Sequence, residues 1–316
     1  MERMEKKMKK LVSTLQLSHE EWLQYRKMGI GGSDAGAIYG LNPYVSPMQV
    51  FLDKTSAVEE AEDKEARRQG RDLEQYVAER FMEATGLKVR KANYIFMHDE
   101  YPFMLANVDR LVVGENAGLE CKTVSAYNAD KWKDGQIPEH YQIQCHHYML
   151  VTGATHWYIA AVILGIGFVY YKIQRDEEII RYLAEIESQF WKDHVMKQVM
   201  PAPDGSKACE EVLKKYFPKA NSEPPVLLTQ FKEKLERREE IVGLLEKLET
   251  EKNRIEQEIK VQMGEAERAE CEKYHIQWSN VISNRIDTKR LKEEEPELYK
   301  KYLNQTSSRR FQIKAA

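Results

Sequence analysis

The apolar residues of this chain change their spacing at Gly86. Across residues 70–85 they recur three or four positions apart, which predicts an amphipathic helix that Gly86 ends. Beyond Gly86 the period becomes two. Three strands are predicted there, at residues 88–97, 104–113 and 119–125. A helix followed by consecutive short strands restricts the chain to folds in which helices pack on a sheet.

The flanking segments extend this pattern in both directions. Upstream, Ser18 and Glu21 form a capping box that opens a short helix, and a glycine-rich turn follows at residues 29–34. Further elements are predicted as helices at 35–39, 46–54, 138–153 and 176–195, a surface connection at 58–68, and strands at 157–163 and 168–173. The prediction is an α/β fold with a mixed central sheet flanked by helices.

A domain boundary is predicted near residue 200, where Pro201, Pro203 and Gly205 interrupt the pattern. Residues 1–200 form the first predicted domain, and residues 201–316 form a C-terminal helical extension. Between residues 228 and 263, apolar positions three or four apart alternate with charged ones, which predicts a long helix or a helical hairpin with a coiled-coil seam. A short β-like stretch is predicted at 274–282.

Composition excludes several classes of protein. The net charge of −3 over 316 residues shows no global basic signature, so a nucleic acid would be held by a local patch. The four cysteines form no CxxC pair, which argues against a zinc or iron–sulfur site. No apolar run is long enough for a membrane span, and no apolar stretch follows the N-terminal lysines. We expect a cytoplasmic protein with no membrane partner.

The segment Leu119-Glu120-Cys121-Lys122-Thr123 carries the candidate chemistry. Its alternation places Glu120 and Lys122 on one face of a strand. Pairing with the preceding strand brings Asp109 close to Glu120. An isolated Glu-X-Lys pair on a strand is usually a solvated ion pair. The functional interpretation therefore depends on the pair occurring together with Glu74, Asp109 and Gln144.

Two carboxylates beside a lysine suit divalent-metal chemistry. Asp109 and Glu120 offer the oxygen ligands that Mg²⁺ prefers, and a bound cation activates water and stabilises charge at phosphorus. Lys122 would position or deprotonate the attacking water. Glu74, on the preceding predicted helix, would be an outer ligand or would help to hold a second metal. The residues therefore favour metal-assisted phosphodiester hydrolysis, with Mg²⁺ as cofactor and Mn²⁺ as a substitute.

Five local matches carry a family resemblance over residues 22–171, about half of the chain. They are Arg26 with the glycine-rich segment 29–34, residues 70–74, Asn107-Val108-Asp109, residues 120–123, and Tyr141-Gln142-Ile143-Gln144. Together they resemble the YqaJ-type viral recombinases, which are lambda-exonuclease-like PD-(D/E)xK nucleases. Val108 stands where the motif name has proline. The resemblance implies a restriction-endonuclease-like core.

The resemblance also implies roles for single residues. Glu74, Asp109 and Glu120 would bind metal together with the backbone carbonyl of Cys121. Lys122 would act on the nucleophilic water.

Four further residues receive roles in the same way. Gln144 would help to orient the water, and Tyr141 would contact the substrate. Arg26 and Ser33 would hold a terminal 5′-phosphate. The glycine-rich turn supports this independently, because backbone N–H groups at the start of a helix bind anions, although a serine there is equally an ordinary helix cap.

The resemblance implies a 5′-to-3′ exonuclease that acts on double-stranded DNA ends and leaves 3′ overhangs for recombination in a bacterial or phage-infected cell. A single-strand annealing protein as partner and a trimeric ring follow from it as hypotheses. A structure-selective endonuclease and a non-catalytic DNA-binding or assembly protein remain alternatives.

Two other groups of residues receive structural interpretations. Cys145, His146 and His147 are adjacent on a predicted helix and point about 100° apart, so they are poorly placed to share a metal. The aromatic residues on the later strands are core rather than base-stacking candidates. These are Trp157, Tyr158, Tyr170 and Tyr171.

Overall fold

The computed structural model describes residues 9–56, 65–220, 224–304 and 308–314. The chain divides into two compact units, Met1–Phe217 and Pro218–Ala316. Each is described by itself.

The first unit contains most of the regular structure. Its strands are β1 (Lys9–Ser13), β2 (Val89–Lys91), β3 (Tyr94–Met97), β4 (Leu105–Asn107), β5 (Arg110–Val112), β6 (Ala117–Val124), β7 (His156–Ile163) and β8 (Gly167–Gln174). Its helices are α1 (His19–Lys27), α2 (Gly32–Ile38), α3 (Pro47–Thr55), α4 (Glu65–Thr85), α5 (Glu139–Thr152), α6 (Glu177–Phe190) and α7 (Lys207–Tyr216). A 3₁₀ helix, Ala126–Trp132, follows β6.

A mixed sheet of five strands forms the centre, in the order β2-β5-β6-β7-β8. Strand β6 pairs antiparallel with β5 and parallel with β7, and helix α5 makes the crossover between β6 and β7. The β7 and β8 pair is antiparallel and joined by a short turn. The predicted α/β fold with a mixed sheet flanked by helices is confirmed.

Helices cover both faces of this sheet. On one face, Val77 and Phe81 of α4 pack against Leu119, Tyr158 and Ala160. On the other face, the larger core cluster joins α5 and α6 to β6 and β7 through apolar side chains. Strand β6 is thus sandwiched between α4 and α5, and alternate residues along it face different helices.

The strands that precede β6 are shorter than predicted. The segment predicted as one strand at 88–97 is two, β2 and β3, and these belong to different sheets. Asn93, with φ of 55°, turns the chain between them, since asparagine tolerates the left-handed region. The segment predicted at 104–113 likewise divides into β4 and β5. Strands β1, β3 and β4 form a separate three-stranded sheet.

Several helix limits also differ from prediction. Residues 65–68 are the first turn of α4 rather than a surface connection, and residues 58–64 of that prediction lie outside the described residues. Helix α2 begins at Gly32 inside the glycine-rich segment. Helix α6 ends at Phe190 and continues as a π-helical turn, Trp191–Met196.

The first compact unit extends past the predicted boundary at residue 200. Helix α7 packs Cys209 and Val212 against Met48 of α3, which ties this segment to the first unit. Pro201 and Pro203 therefore interrupt the secondary structure without ending the unit.

The second unit consists of exposed helix and a small hairpin. Helix α8 (Lys232–Met263) is one continuous helix of 32 residues, so the prediction of a long helix is confirmed and the hairpin alternative is wrong. Strands β9 (Arg268–Cys271) and β10 (Tyr274–Gln277) pair antiparallel, and α9 (Thr288–Glu294) and α10 (Pro296–Tyr302) follow. In the described ranges, no helix is both long and apolar enough to cross a bilayer.

Candidate active site

Strand β6 directs two charged side chains toward helix α5. The buried Glu120 accepts hydrogen bonds at Oε1 from Lys122 Nζ at 2.5 Å and from Gln144 Nε2 at 2.8 Å. Its other oxygen, Oε2, is buried and has no hydrogen-bond partner among the described residues. A buried carboxylate oxygen without a donor is costly, and a cation or a water would satisfy it.

Asp109 lies beside this pair. It sits in a bend just before β5 rather than within a strand, because the chain passes there from the small sheet to the central one. Its Oδ2 accepts a hydrogen bond from the Cys121 backbone N–H at 2.8 Å, which places the carboxylate next to β6. Burial and the neighbouring Glu120 and Glu74 carboxylates raise the pKa of Asp109 well above its usual value.

Lys122 is held in its charged form. Burial disfavours the ammonium, but Glu120, Tyr141 and Asp109 outweigh burial and raise the pKa of Lys122. Its Nζ lies 3.1 Å from Gln144 Oε1 and 4.4 Å from the centre of the Tyr141 ring. The lysine is therefore fixed by a carboxylate, an amide and an aromatic face, and it is suited to donate hydrogen bonds to an anion.

Helix α5 supplies an amide that bridges the charges. Gln144 accepts from Lys122 through Oε1 and donates through Nε2 to Glu120 and to Tyr148 Oη, the latter at 2.8 Å. These contacts fix which end of the amide faces each neighbour.

Glu74 projects from α4 and forms an ion pair with Arg110. The Arg110 side chain is only 4% exposed, and it also donates to Gln75 Oε1 at 3.1 Å and to the Asp109 carbonyl at 2.9 Å. Sequence reasoning missed Arg110. The sequence feature that could have identified Arg110 is its position: it is a charged residue directly after Asp109, at the start of an otherwise apolar strand.

The carboxylates do not form a ready-made metal cage. Within residues 9–56, 65–220, 224–304 and 308–314, no group of three His, Cys, Asp or Glu side chains is arranged to hold a metal ion. The residues nevertheless fit a divalent cation, because Glu120 presents a buried oxygen, unpartnered in the described part of the chain, beside the carboxylate of Asp109.

A second cluster, Arg26 with Ser33, Asp34 and Lys54, stands at the glycine-rich segment. Arg26 donates to Ser33 Oγ at 3.1 Å and lies 3.4 Å from Asp34 Oδ1. Asp34 also pairs with the buried Lys54 at 2.6 Å and accepts from the Gly31 N–H at 2.9 Å. Asp34 thus caps α2, and Ser33 is not the helix cap.

The charges around Asp34 fix its ionisation. Burial opposes the charge on the carboxylate, but Lys54 and Arg26 outweigh it and lower the pKa of Asp34 to about 2. Sequence reasoning missed both Asp34 and Lys54. Lys54 is remote in sequence and reaches the cluster only because α3 packs near α1 and α2.

One cleft of about 170 Å³ connects the two clusters. Its lining includes Trp22, Arg26, Ser33, Asp109, Glu120 and Gln144. Strand-like hydrogen bonds position the glycine-rich wall, with Ile30 N–H donating to Phe103 O at 2.6 Å and Leu105 N–H to Ile30 O at 2.8 Å. A methyl group on Gly32 would lie 2.6 Å from the Tyr148 ring, so glycine is required where α2 meets α5.

The adjacent Cys145, His146 and His147 separate into different environments. His147 contacts Glu187 Oε1 and the Leu105 carbonyl, each at 2.8 Å. Burial lowers the pKa of His146 to about 4, and Cys145 is fully buried. The aromatic strand residues also differ, because Trp157 and Tyr158 are buried whereas Tyr170 is 41% exposed.

The fold defines the class of protein. A crystal structure of the alkaline exonuclease LHK-Exo from Laribacter hongkongensis, in complex with dAMP, superposes with a TM-score of 0.50 at 18% identity, covering 64% of this chain and 100% of that chain. A further structure of that enzyme gives a TM-score of 0.48 at 17% identity, with the same coverage. The likeness to the dAMP complex shows that this chain has the α/β fold of that alkaline exonuclease.

The chain belongs to the YqaJ-like viral recombinase family. The model of the YqaJ-like viral recombinase domain matches residues 21–155. The chain is 42% identical over 308 residues to the protein YqaJ of Bacillus subtilis (strain 168), covering 96% of this chain and 97% of that protein. The family resemblance noted in the sequence is confirmed, and residues 21–155 contain every predicted site residue.

Proposed function

We propose that this protein is a metal-dependent DNA nuclease, with Asp109, Glu120 and Lys122 as its catalytic centre. The observation that carries the proposal is the oxygen of the buried Glu120 that has no partner among the described residues. Glu120 lines the cleft together with Asp109 and contacts Lys122. Two close carboxylates and an ammonium are costly to bury together unless a cation and an anionic substrate complete the site.

Asp109 and Glu120 would hold Mg²⁺ or Mn²⁺, with the Cys121 carbonyl as a further ligand by family resemblance. Glu74 would serve as an outer ligand, since Arg110 already engages its carboxylate. When bound, the cation supplies Lewis acidity at the phosphoryl oxygen and lowers the pKa of a coordinated water.

The side chains of the centre divide the remaining work. The charged Lys122 donates hydrogen bonds to the scissile phosphate or to the attacking water and stabilises negative charge in the transition state. Gln144, fixed through Lys122 and Glu120, orients that water. Tyr141 supports the Lys122 ammonium and borders the substrate.

The substrate we propose is the 5′ end of double-stranded DNA. Arg26 and Ser33 would receive the terminal phosphate at one end of the cleft while hydrolysis occurs at the other. The exonuclease of the same fold was crystallised with dAMP, which supports a nucleotide product. Degradation from 5′ to 3′ would leave 3′ overhangs, to which a single-strand annealing protein of the bacterial or phage-infected cell would bind. A ring of several copies of the chain would keep the enzyme on the DNA strand.

Digestion of linear duplexes with 5′-phosphate or 5′-hydroxyl ends, in Mg²⁺, Mn²⁺ or Ca²⁺, tests the proposal. We expect nucleotide release with Mg²⁺ or Mn²⁺ and faster release from phosphorylated ends. Lys122→Ala should lower the rate roughly 10²–10⁴-fold, whereas Lys214→Ala, on the exposed side of α7, should leave it unchanged. Arg26→Ala should reduce the preference for 5′-phosphate.

Closed circular DNA separates the alternatives. An exonuclease leaves it intact, and its cleavage would support a structure-selective endonuclease instead. Equal nucleotide release by wild type and Lys122→Ala would refute the catalytic centre. Duplex binding without any hydrolysis would favour a non-catalytic DNA-binding or assembly protein.

A further inference from the structure

Helix α8 exposes an apolar stripe along one face. Ile241, Leu245, Leu248, Ile255 and Ile259 follow one another at intervals of four, three, seven and four residues, which places them on one face of the helix. Leu245 is 60% exposed and Leu248 is 62% exposed. Aliphatic side chains aligned in this way on an exposed helix mark a surface for another helix.

Acidic residues border this stripe on both sides. In the heptad that the stripe defines, Glu249 and Glu256 occupy the flanking positions on one edge, and Glu251 and Glu258 occupy those on the other. Flanking positions of this kind determine which helices can pair, because their side chains meet across the interface.

The same glutamates disfavour pairing with a second copy. In a parallel pair of α8 helices, Glu251 of one copy would face Glu256 of the other. In an antiparallel pair, each edge would face its own copy and again bring glutamates together. Repulsion between like charges at these positions disfavours pairing of α8 with a second α8. The same acidic edges disfavour DNA, because they repel phosphate.

Lys252 interrupts the stripe between Leu248 and Ile255. Its Nζ pairs with Glu249 at 2.6 Å on the same helix, and its side chain is 55% exposed. A single lysine at a seam position specifies register and partner at some cost in stability. The aliphatic residues therefore supply the affinity of this surface for another helix, and Lys252 restricts which helix can bind.

We propose that α8 is the docking site for a basic amphipathic helix of another protein. The partner presents an apolar stripe edged by lysine or arginine, and its cations meet Glu249, Glu251, Glu256 and Glu258. This interaction goes beyond the proposed nuclease function and does not depend on it.

Two synthetic helical peptides test the proposal against the full-length protein. Both have isoleucine and leucine at the seam positions, and one has lysine and the other glutamate at all flanking positions. Calorimetry should show one-to-one binding of the lysine peptide and far weaker binding of the glutamate peptide. The double variant Glu251→Lys/Glu256→Lys should weaken binding of the lysine peptide by about tenfold or more and strengthen binding of the glutamate peptide.

The matched control is Glu239→Lys/Glu246→Lys, which makes the same charge change on the opposite face of α8. It should alter the affinity by less than about twofold, since only long-range attraction changes. Equal binding of both peptides, or an equal loss in the control, would overturn the proposal. So would self-association in sedimentation that Leu248→Glu abolishes, because the occupant would then be a second copy.

Discussion

At the scale of single residues, the pKa values of two aspartates, Asp34 and Asp109, are shifted in opposite directions. Asp34 is ionised because Lys54, Arg26 and the Gly31 amide all stabilise the charged form, and its pKa falls to about 2. Burial and the neighbouring Glu120 and Glu74 carboxylates raise the pKa of Asp109. In the first cluster, Asp34 is paired with Lys54 and Arg26, and these contacts fix the position of Arg26. The second is the cluster that we propose to bind a cation and a phosphate.

Arg110 compensates the acidic side of the centre. Arg110→Ala would leave Glu74 without its cation beside Asp109, so we expect a loss of stability of about 1–3 kcal/mol. Glu74→Gln in the same chain should recover much of that loss, because the uncompensated charge is gone. Urea unfolding of the two single variants and the double variant measures the coupling. Strictly additive effects would mean that the ion pair does not stabilise the protein.

At the scale of elements, α5 connects strand β6 to the rest of the core. Gln144 faces β6, while His147 joins Glu187 of α6 and the Leu105 carbonyl of β4. Both His147 ring nitrogens face oxygen acceptors, and both partners of the pair are fully buried. A neutral imidazole has only one N–H, so hydrogen bonds at both ring nitrogens require one further proton. That proton lies either on His147 or on Glu187, and the buried pair retains it.

This pair makes stability depend on pH. Burial disfavours charge on His147, but Glu187 outweighs burial and raises the pKa of His147. Burial raises the pKa of Glu187 despite the histidine. Both shifts mean that the folded protein binds protons more tightly than the unfolded chain. The contribution of His147 is fully present below a pH of about 6.5, the unfolded histidine value, and is lost as pH rises through the folded pKa of His147. The contribution of Glu187 is lost in the same direction, as pH rises from the unfolded glutamate value of about 4.3 through the folded pKa of Glu187.

Thermal unfolding across this pH range measures the effect. The melting temperature of the wild type should fall as pH rises above about 6.5, and Glu187→Gln should flatten that dependence. Glu185→Gln, on the exposed side of α6, should leave the dependence unchanged. A wild-type slope that survives in Glu187→Gln would assign the titration to another group.

At the scale of the whole molecule, the boundary between the two compact units falls in an exposed stretch of chain. Residues 218–220 and 224–228 are exposed and have no helix or strand. Limited trypsin digestion followed by mass spectrometry should therefore give an N-terminal limit fragment that ends at Lys219. A limit fragment that ends at Lys197 would instead support the boundary that the sequence predicts near residue 200.

The sequence alone determined the elements whose signals are local. The capping box at Ser18, the β7 and β8 pair and the alternation of Glu120 with Leu119 follow from spacing and residue type, which neighbouring residues suffice to define. The family followed from the motifs at 29–34, 107–109 and 120–123. These features do not depend on where distant segments lie.

Only the tertiary structure decided how the strands are shared between sheets and which charges meet. The break between β4 and β5 arises because neighbouring segments pair with different partners, and single-strand patterns cannot show that. Arg110 with Glu74, Lys54 with Asp34, and His147 with Glu187 are each at least 20 positions apart. Their interaction energies exist only after packing brings them together and removes water.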